Sequence, residues 1–164
     1  MTAVYDPSDF PWLDPITARW KEIRTYAQYR KSTFSPYRQT QLYNAGWSVL
    51  GIINGQTDYN RYNTFLSPIF QKLPYRPFIA ALSCLAPGTE IAPHVGITDS
   101  VLRFHLGLVC PENCGIMIDG QTFTWQEGRW LIFNDRLEHS AWNHGDQDRM
   151  VLIMDFEKNH IGID

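Results

Sequence analysis

Five histidines, at positions 94, 105, 139, 144 and 160, are the side chains of this sequence best suited to hold a transition metal. His94 lies in Ala92-Pro93-His94-Val95-Gly96, and His139 closes Asn134-Asp135-Arg136-Leu137-Glu138-His139. Each sits where a loop meets a strand-like segment, on either side of the predicted hairpins. In a rolled-up sheet such junctions converge at one mouth. Two imidazoles from neighbouring strands suit an iron(II) site in which two histidines and one carboxylate occupy one face. The usual carboxylate would stand two residues after the first histidine, and here that residue is Gly96. Spacing alone leaves the ordinary alternative open, in which each histidine is a satisfied core or surface side chain.

Three further residues sit awkwardly on strands. Residues 101–109 alternate strictly, with Leu102, Phe104, Leu106 and Leu108 on one face and Val101, Arg103, His105, Gly107 and Val109 on the other. An ordinary half-buried strand would turn Arg103 and His105 to solvent. Arg149 shares a face with Val151 and Ile153 within Met150-Val151-Leu152-Ile153-Met154, a run that is apolar on both faces. A guanidinium there is costly unless an anion meets it. An internal carboxylate or an anionic ligand would serve equally.

The elements that must position these residues change character near residue 75. Before it, Asp14-Pro15 reads as an N-cap with proline at the first helical position. Ile16, Trp20, Ile23 and Ala27 follow at helical spacing, which predicts an amphipathic helix over 15–30. A strand is expected over 46–54, and a second helix over 59–70, disturbed or ended at Pro68. After residue 75 strand follows strand: 77–86, 101–109, 116–118, 122–125, 130–133, 140–143 and 149–156. Asp119-Gly120 is a hairpin turn signal. Many short strands with Gly, Pro and Asp turns indicate a sandwich, jelly roll or barrel.

Length and composition agree with a single folded unit. The chain has 164 residues, 14 basic and 17 acidic, for a formal charge of −3. A domain of this size buries roughly 68–70% of its unfolded surface and needs no disulfides to build a core. Hydrophobic content of 44% against 19% charged excludes disorder. The mild acidity lacks the footprint of a nucleic-acid binder. No apolar run approaches the roughly 18 residues of a membrane span. The first fourteen residues have neither the basic nor the apolar region of a signal peptide. Cys110 and Cys114 flank a turn, but two further ligands at zinc spacing are missing. With Cys84 they read as small apolar residues at strand ends. These features lead us to expect a cytoplasmic protein with no nucleic-acid or membrane partner.

Pro93-His94-Val95-Gly96, Leu102-Arg103-Phe104-His105-Leu106-Gly107-Leu108, Trp125-Gln126-Glu127-Gly128, Phe133-Asn134-Asp135 with His139, Trp142-Asn143 and Asp148-Arg149 resemble the aspartyl/asparaginyl β-hydroxylase family, in order and in spacing. The resemblance runs over residues 80–156 and leaves the N-terminal half unassigned. It implies a mainly β fold, a double-stranded β-helix (jelly roll, cupin-like) with N-terminal helices packed on the barrel. It also implies one oxygenase domain over 1–164, in which 1–75 is helical and aromatic and 76–158 is the β-helix core carrying the site. The implied cofactors are iron(II), 2-oxoglutarate as cosubstrate, and dioxygen.

Carried over residue by residue, the resemblance makes His94 and His139 the iron ligands and catalytic centre. Gly96 matches a missing carboxylate ligand. Arg149 matches the arginine that pairs with the distal carboxylate of 2-oxoglutarate, and Ser83 the hydroxyl that supports it. Arg103 and His105 match residues facing the cosubstrate's other end and the substrate. The implied reaction is hydroxylation of an unactivated carbon, with Cβ of an Asp- or Asn-like amino acid or peptide residue expected. Halogenation, with a halide in the position left by Gly96, and a non-catalytic cupin-like binding domain are the alternatives. Val101 departs from members with another arginine there, and Ser140 from members with an acid. The aromatic residues Trp12, Trp20, Tyr26, Tyr29, Tyr37, Tyr43 and Trp47 either cover the barrel mouth or pack as a layer on the sheet. The short chain leads us to expect a small-molecule or peptide substrate.

Overall fold

The computed structural model describes residues 2–59 and 63–164. Its strands are β1 (Val4–Tyr5), β2 (Ser35–Pro36), β3 (Trp47–Asn54), β4 (Thr57–Asp58), β5 (Ile79–Leu85), β6 (Thr89–His94), β7 (Val101–Val109), β8 (Cys114–Ile118), β9 (Gln121–Phe123), β10 (Trp130–Phe133), β11 (His139–Asn143) and β12 (Arg149–Glu157). The helices are α1 (Asp14–Thr17), α2 (Trp20–Arg30) and α3 (Leu66–Phe70). The larger sheet has the order β1-β10-β7-β12-β5-β3-β2, with β4 paired to β3. The smaller sheet has the order β6-β11-β8-β9. All the pairings are antiparallel. This is a jelly roll, the double-stranded β-helix expected from the sequence.

Alternation along β7 and β12 assigns the two faces of the larger sheet. Leu102, Phe104, Leu106 and Leu108 join Met150, Leu152, Met154 and Phe156 in a core shared with Phe10, Leu13, Ile16, Ile23 and Ala27. That face is covered by the N-terminal helices. The opposite face faces the smaller sheet, where Leu85, Leu131, Phe133 and Val151 meet Ile91, Ile116, Ile118 and Ala141. Arg103, His105 and Arg149 belong to this inner face, so Arg103 and His105 are turned away from bulk solvent. The dual apolarity of the 149–156 run is thereby explained: one face meets helices and the other lines the barrel.

Several sequence expectations are refined. The helix over 15–30 is broken at Ala18-Arg19, where Arg19 leaves helical geometry at φ −108° and ψ 14°. Asp14 caps nothing: a 3-10 turn over Pro11–Leu13 runs straight into α1, so Asp14 is already helical. The helix expected over 59–70 is confined to Leu66–Phe70, and residues 60–62 lie outside the described residues. Pro68 lies within the first turn of α3, where its missing N–H costs nothing. Asn63 Oδ1 accepts from the Phe65 and Leu66 N–H groups ahead of that helix. Strand β6 lacked a sequence signal; Pro93 is tolerated there because β6 is an edge strand. The Asp119-Gly120 turn joins β8 to β9 with φ of 50° and 75°, as its residue types require.

Phe104 is the centre of the helix-facing core. It is fully buried and meets Phe10 and Phe156 edge-on at 5.2 Å, with Trp12 and Trp130 also in contact range. Phe104→Ala should lower unfolding stability by about 3–5 kcal/mol. Chemical denaturation will read this as a lower midpoint with an unchanged slope.

Candidate active site

Strands β6 and β11 are neighbours in the smaller sheet, and their register pairs His94 with His139. His94 ends its strand and His139 begins its own. The ring centroids are 4.3 Å apart. His94 Nδ1 donates to the Ala92 carbonyl at 2.8 Å, and His139 Nδ1 donates to the Leu137 carbonyl at 2.8 Å. A carbonyl oxygen only accepts, so both Nδ1 atoms carry the proton. In the neutral tautomer this leaves the lone pair on Nε2, which is the state a metal ligand needs. Burial also pushes the proton affinity of His139 down, which favours the neutral ring.

Asp135 was quoted in a motif but given no role by the sequence. Its Oδ1 lies 3.4 Å from His139 Nε2. A Cβ added to Gly96 would lie 1.9 Å from Asp135 Oδ2, and the Gly96 N–H donates to the Asp135 carbonyl at 2.8 Å. The carboxylate thus occupies the space that a side chain at 96 would need. Its only sequence signal is its place four residues before His139. Among the described residues no three His, Cys, Asp or Glu side chains converge as a metal-ligand set. The donor set is two imidazoles with one carboxylate beside them.

Arg149 is buried, with 2% of its surface exposed. Its Nη2 reaches Ser83 Oγ at 3.4 Å, and Ser83 Oγ also accepts from Trp47 Nε1 at 3.0 Å. Its guanidinium lies 4.5 Å from the centre of the Trp125 ring. Among the described residues no carboxylate meets it and its Nε has no partner. Burial is what brings its pKa down, to about 10. Cys84, Cys110 and Cys114 are all free thiols nearby, and burial raises the pKa of each. They are un-ionised at neutral pH and supply no counter-charge.

Trp125 also fixes His105. An indole N–H can only donate, so the 3.1 Å bond from Trp125 Nε1 makes His105 Nδ1 an acceptor. The proton of the neutral ring is then on Nε2, which is buried and without a partner. Arg149 Nε and His105 Nε2 are thus two orphaned donors on one inner face. Such a lining fits a ligand made of acceptors, as a dicarboxylate is.

Arg103 is treated differently. Its Nε and Nη2 donate to Asp155 at 2.8 and 2.7 Å, and its Nη1 donates to Asp135 at 2.6 Å. Burial would depress its pKa, but Asp155 and then Asp135 hold it above the ordinary value. Asp155 lies opposite Arg103 in the β12–β7 register. The structure thus brings His94, His139 and Arg103 together through Asp135, and Ser83, Arg149 and His105 through Trp47 and Trp125.

The aromatic residues of the N-terminal part divide by position. Trp12, Trp20 and Tyr26 pack on the helix-facing core. Tyr37 stacks on Trp47 at 3.8 Å, and Tyr43 meets Trp47 edge-on while its hydroxyl donates to the Tyr37 carbonyl. Trp47 reaches Ser83, and Tyr37, stacked on it, also lies within electrostatic range of Arg103, Asp135 and Asp155. Tyr29 is exposed and does neither.

This geometry defines a cupin-like jelly roll with a paired-histidine mouth. A prolyl-4-hydroxylase from Pseudomonas putida shares the fold with a TM-score of 0.60 at 12% identity, over 86% of each chain. A predicted oxalate decarboxylase from Thermotoga maritima does so with a TM-score of 0.53 at 15% identity, over 78% of this chain and 96% of that one. The sequence pattern of the aspartyl/asparaginyl β-hydroxylase family matches residues 17–159, and the chain belongs to that family. The match takes in the helical part that the motifs alone left unassigned. The ornithine lipid ester-linked acyl 2-hydroxylase of Rhizobium tropici is 34% identical over 172 aligned positions, covering 94% of this chain and 60% of the relative. The mouse aspartyl/asparaginyl β-hydroxylase is 46% identical over 74, covering 44% of this chain and 10% of the relative. The chain therefore spans about three fifths of one relative's length and a tenth of the other's.

His105 gives this site a pH signature in the metal-free protein. Burial first, then Arg103, Arg149 and His139, hold its pKa well below 6.5. The folded state stays neutral where the unfolded chain takes up a proton, so stability falls as pH drops below about 6.5. The slope should approach about 1.4 kcal/mol per pH unit. His105→Gln should flatten it in denaturation curves recorded between pH 7.5 and 5.

Proposed function

We propose that this protein is an iron(II)- and 2-oxoglutarate-dependent hydroxylase of a methylene next to an acyl carbonyl. The observation that carries the reading is Arg149, a buried guanidinium that no carboxylate meets, in the same barrel as two imidazoles with free Nε2 lone pairs. The relatives' names support this choice of substrate carbon. Cβ of an aspartyl or asparaginyl residue adjoins its side-chain carbonyl, and position 2 of an ester-linked acyl chain adjoins its ester carbonyl. An Asp- or Asn-like amino acid or peptide residue and a small acyl ester are thus variants of one target.

His94 and His139 would hold the metal through Nε2, their rings fixed by Nδ1–H bonds to the chain. When bound, the iron with 2-oxoglutarate and dioxygen supplies the oxidising power to insert one oxygen atom into a C–H bond, leaving succinate and carbon dioxide. Arg149 would pair with the distal carboxylate, with Ser83 Oγ beside it. Arginine suits that task because its planar donors match a carboxylate. The Nε2–H of His105 is a further donor toward the cosubstrate. Trp47 would hold Ser83 Oγ in place through its Nε1–H, with Tyr37 stacked on its ring. Halogenation is disfavoured because the Asp135 carboxylate occupies the space that Gly96 leaves, and a halide there would face a like charge.

Turnover with iron(II), ascorbate, 2-oxoglutarate and a panel of amino acids, peptides and acyl esters tests this reading. Succinate and a product heavier by one oxygen are expected, and His94→Ala should remove both. Arg149→Ala should weaken 2-oxoglutarate binding on the order of 100-fold or more, since breaking a buried ion pair costs about 3–5 kcal/mol. Absence of 2-oxoglutarate binding to the unmodified protein would sink the proposal.

A further inference from the structure

Tyr37 is a half-buried phenol with a firmly held ring and a hydroxyl that packing does not explain. It follows β2 directly, and its main chain is fixed on both sides. Its N–H donates to the Trp47 carbonyl at 2.9 Å, and its carbonyl accepts from the Tyr43 hydroxyl at 3.0 Å. Its ring lies on the Trp47 indole at 3.8 Å and 20°. Trp47 in turn donates to Ser83, which lies beside Arg149. The phenol is thus tied to the Arg149 end, yet the charges acting on it are those of Arg103, Asp135 and Asp155. Asp135 is the carboxylate beside His139, so Tyr37 spans from one arginine cluster towards the paired histidines. The hydroxyl donates only to Gln39 Oε1 at 3.4 Å, the outer limit for such a bond, and Gln39 is exposed. The neighbouring polar groups are engaged more firmly. Asp135 and Asp155 hold Arg103, and Arg136, the exposed cation of the mouth, donates to the Gly96 carbonyl at 2.9 Å.

We propose that Tyr37 is a substrate-contacting residue: its phenol O–H donates to an oxygen acceptor of the molecule to be hydroxylated, and its ring walls the reacting end of the barrel. This deepens the proposed hydroxylase reading and rests on it. A phenol must keep its proton to donate, and burial holds its pKa above the ordinary value against the pull of Arg103. The ring is already fixed by Trp47 and by two main-chain bonds, so little freedom is lost when a ligand meets the hydroxyl. In the proposed reading the cosubstrate's distal carboxylate has its own donors in Arg149 and Ser83, with His105 as a further one. The molecule to be hydroxylated is the ligand left for Tyr37. A phenylalanine would stack on Trp47 equally well, so the hydroxyl is the part of this residue that the contact with the ligand accounts for.

Tyr37→Phe keeps the stack and removes only the O–H. The probes are N-acetyl-aspartate, N-acetyl-asparagine and methyl octanoate, each carrying oxygen acceptors. For the probe that the unmodified protein oxidises fastest, kcat/KM should fall about three- to tenfold in the variant, the effect of one lost hydrogen bond. Succinate formed per hydroxylated product should rise, because a poorly held substrate wastes turnover. The Kd of 2-oxoglutarate, measured by calorimetry with zinc(II) in place of iron(II), should stay unchanged. A readout free of turnover is 19F NMR of protein carrying 3-fluorotyrosine at position 37 alone, loaded with zinc(II) and 2-oxoglutarate. Its resonance should shift when a probe is added, and this measurement decides the matter if Tyr37→Phe does not fold. An unchanged kcat/KM and succinate-to-product ratio in the folded variant would overturn the proposal and leave Tyr37 a packing residue. A weakened 2-oxoglutarate Kd with an unchanged ratio would overturn it too, by moving Tyr37 to the cosubstrate. So would a resonance that no probe moves. Failure of the hydroxylase reading is separate, because it shows as absence of 2-oxoglutarate binding to the unmodified protein.

Discussion

Arg149 carries a full charge onto the inner face of the barrel, on a strand flanked on both sides by other strands. It is 2% exposed and has no carboxylate partner among the described residues, which meet its charge with one serine hydroxyl, the face of an indole and un-ionised thiols. A buried ion left in this state costs several kcal/mol, which the rest of the fold must offset. Much of the local architecture is arranged around that constraint. Ser83 is set opposite Val151 in the β5–β12 register, two residues from Arg149. Trp47 holds the serine, and Trp125 lies against the guanidinium. An acceptor-rich anion would complete the cluster, and this is the support the interior lends to the proposed dicarboxylate cosubstrate.

The second arginine shows that burial of a cation is not itself the signal. Arg103 and Arg149 both occupy inner faces of the larger sheet, yet Arg103 is bracketed by Asp155 and Asp135. One end of the barrel is therefore positive and waiting for an anion, while the other is already compensated and adjoins the histidines. That polarity gives the interior a direction. In the proposed reading the cosubstrate's distal end would pair with Arg149, and the reacting end would lie where His94, His139 and Asp135 meet.

The helical part of the chain does two distinct jobs. Residues on α1 and α2 seal the outer face of the larger sheet, which would otherwise expose Phe104, Leu106 and Leu152. The segment that follows returns across the barrel, where Trp47 reaches Ser83, Tyr43 meets Trp47 edge-on, and Tyr37 stacks on Trp47 within range of the Arg103 cluster. Aromatic content that looked uniform in the sequence is thus split between packing and enclosure. Position relative to the sheet decides which, and that is set by the crossover from α2 into β3.

Strict alternation over 101–109, apolarity on both faces of 149–156 and the Asp119-Gly120 turn were readable directly, because they are local consequences of a two-residue strand period and of backbone sterics. They were enough to place Arg103, His105 and Arg149 as interior residues once the family motifs were seen. The pairings that decide the chemistry were not readable in the same way. Whether an internal carboxylate would meet Arg149 or Arg103 depended on the β12–β7 register, which puts Asp155 against Arg103. The filling of the Gly96 space by Asp135 depended on a loop returning from β10. Strand β6 was missed because Pro93 masks an edge strand, and the break at Arg19 was missed because helical spacing continues across it. Sequence alone determined which side chains share a face, since that follows from the geometry of a single strand. Only the tertiary structure decided which charges are cancelled, since that follows from contacts between strands far apart in the chain.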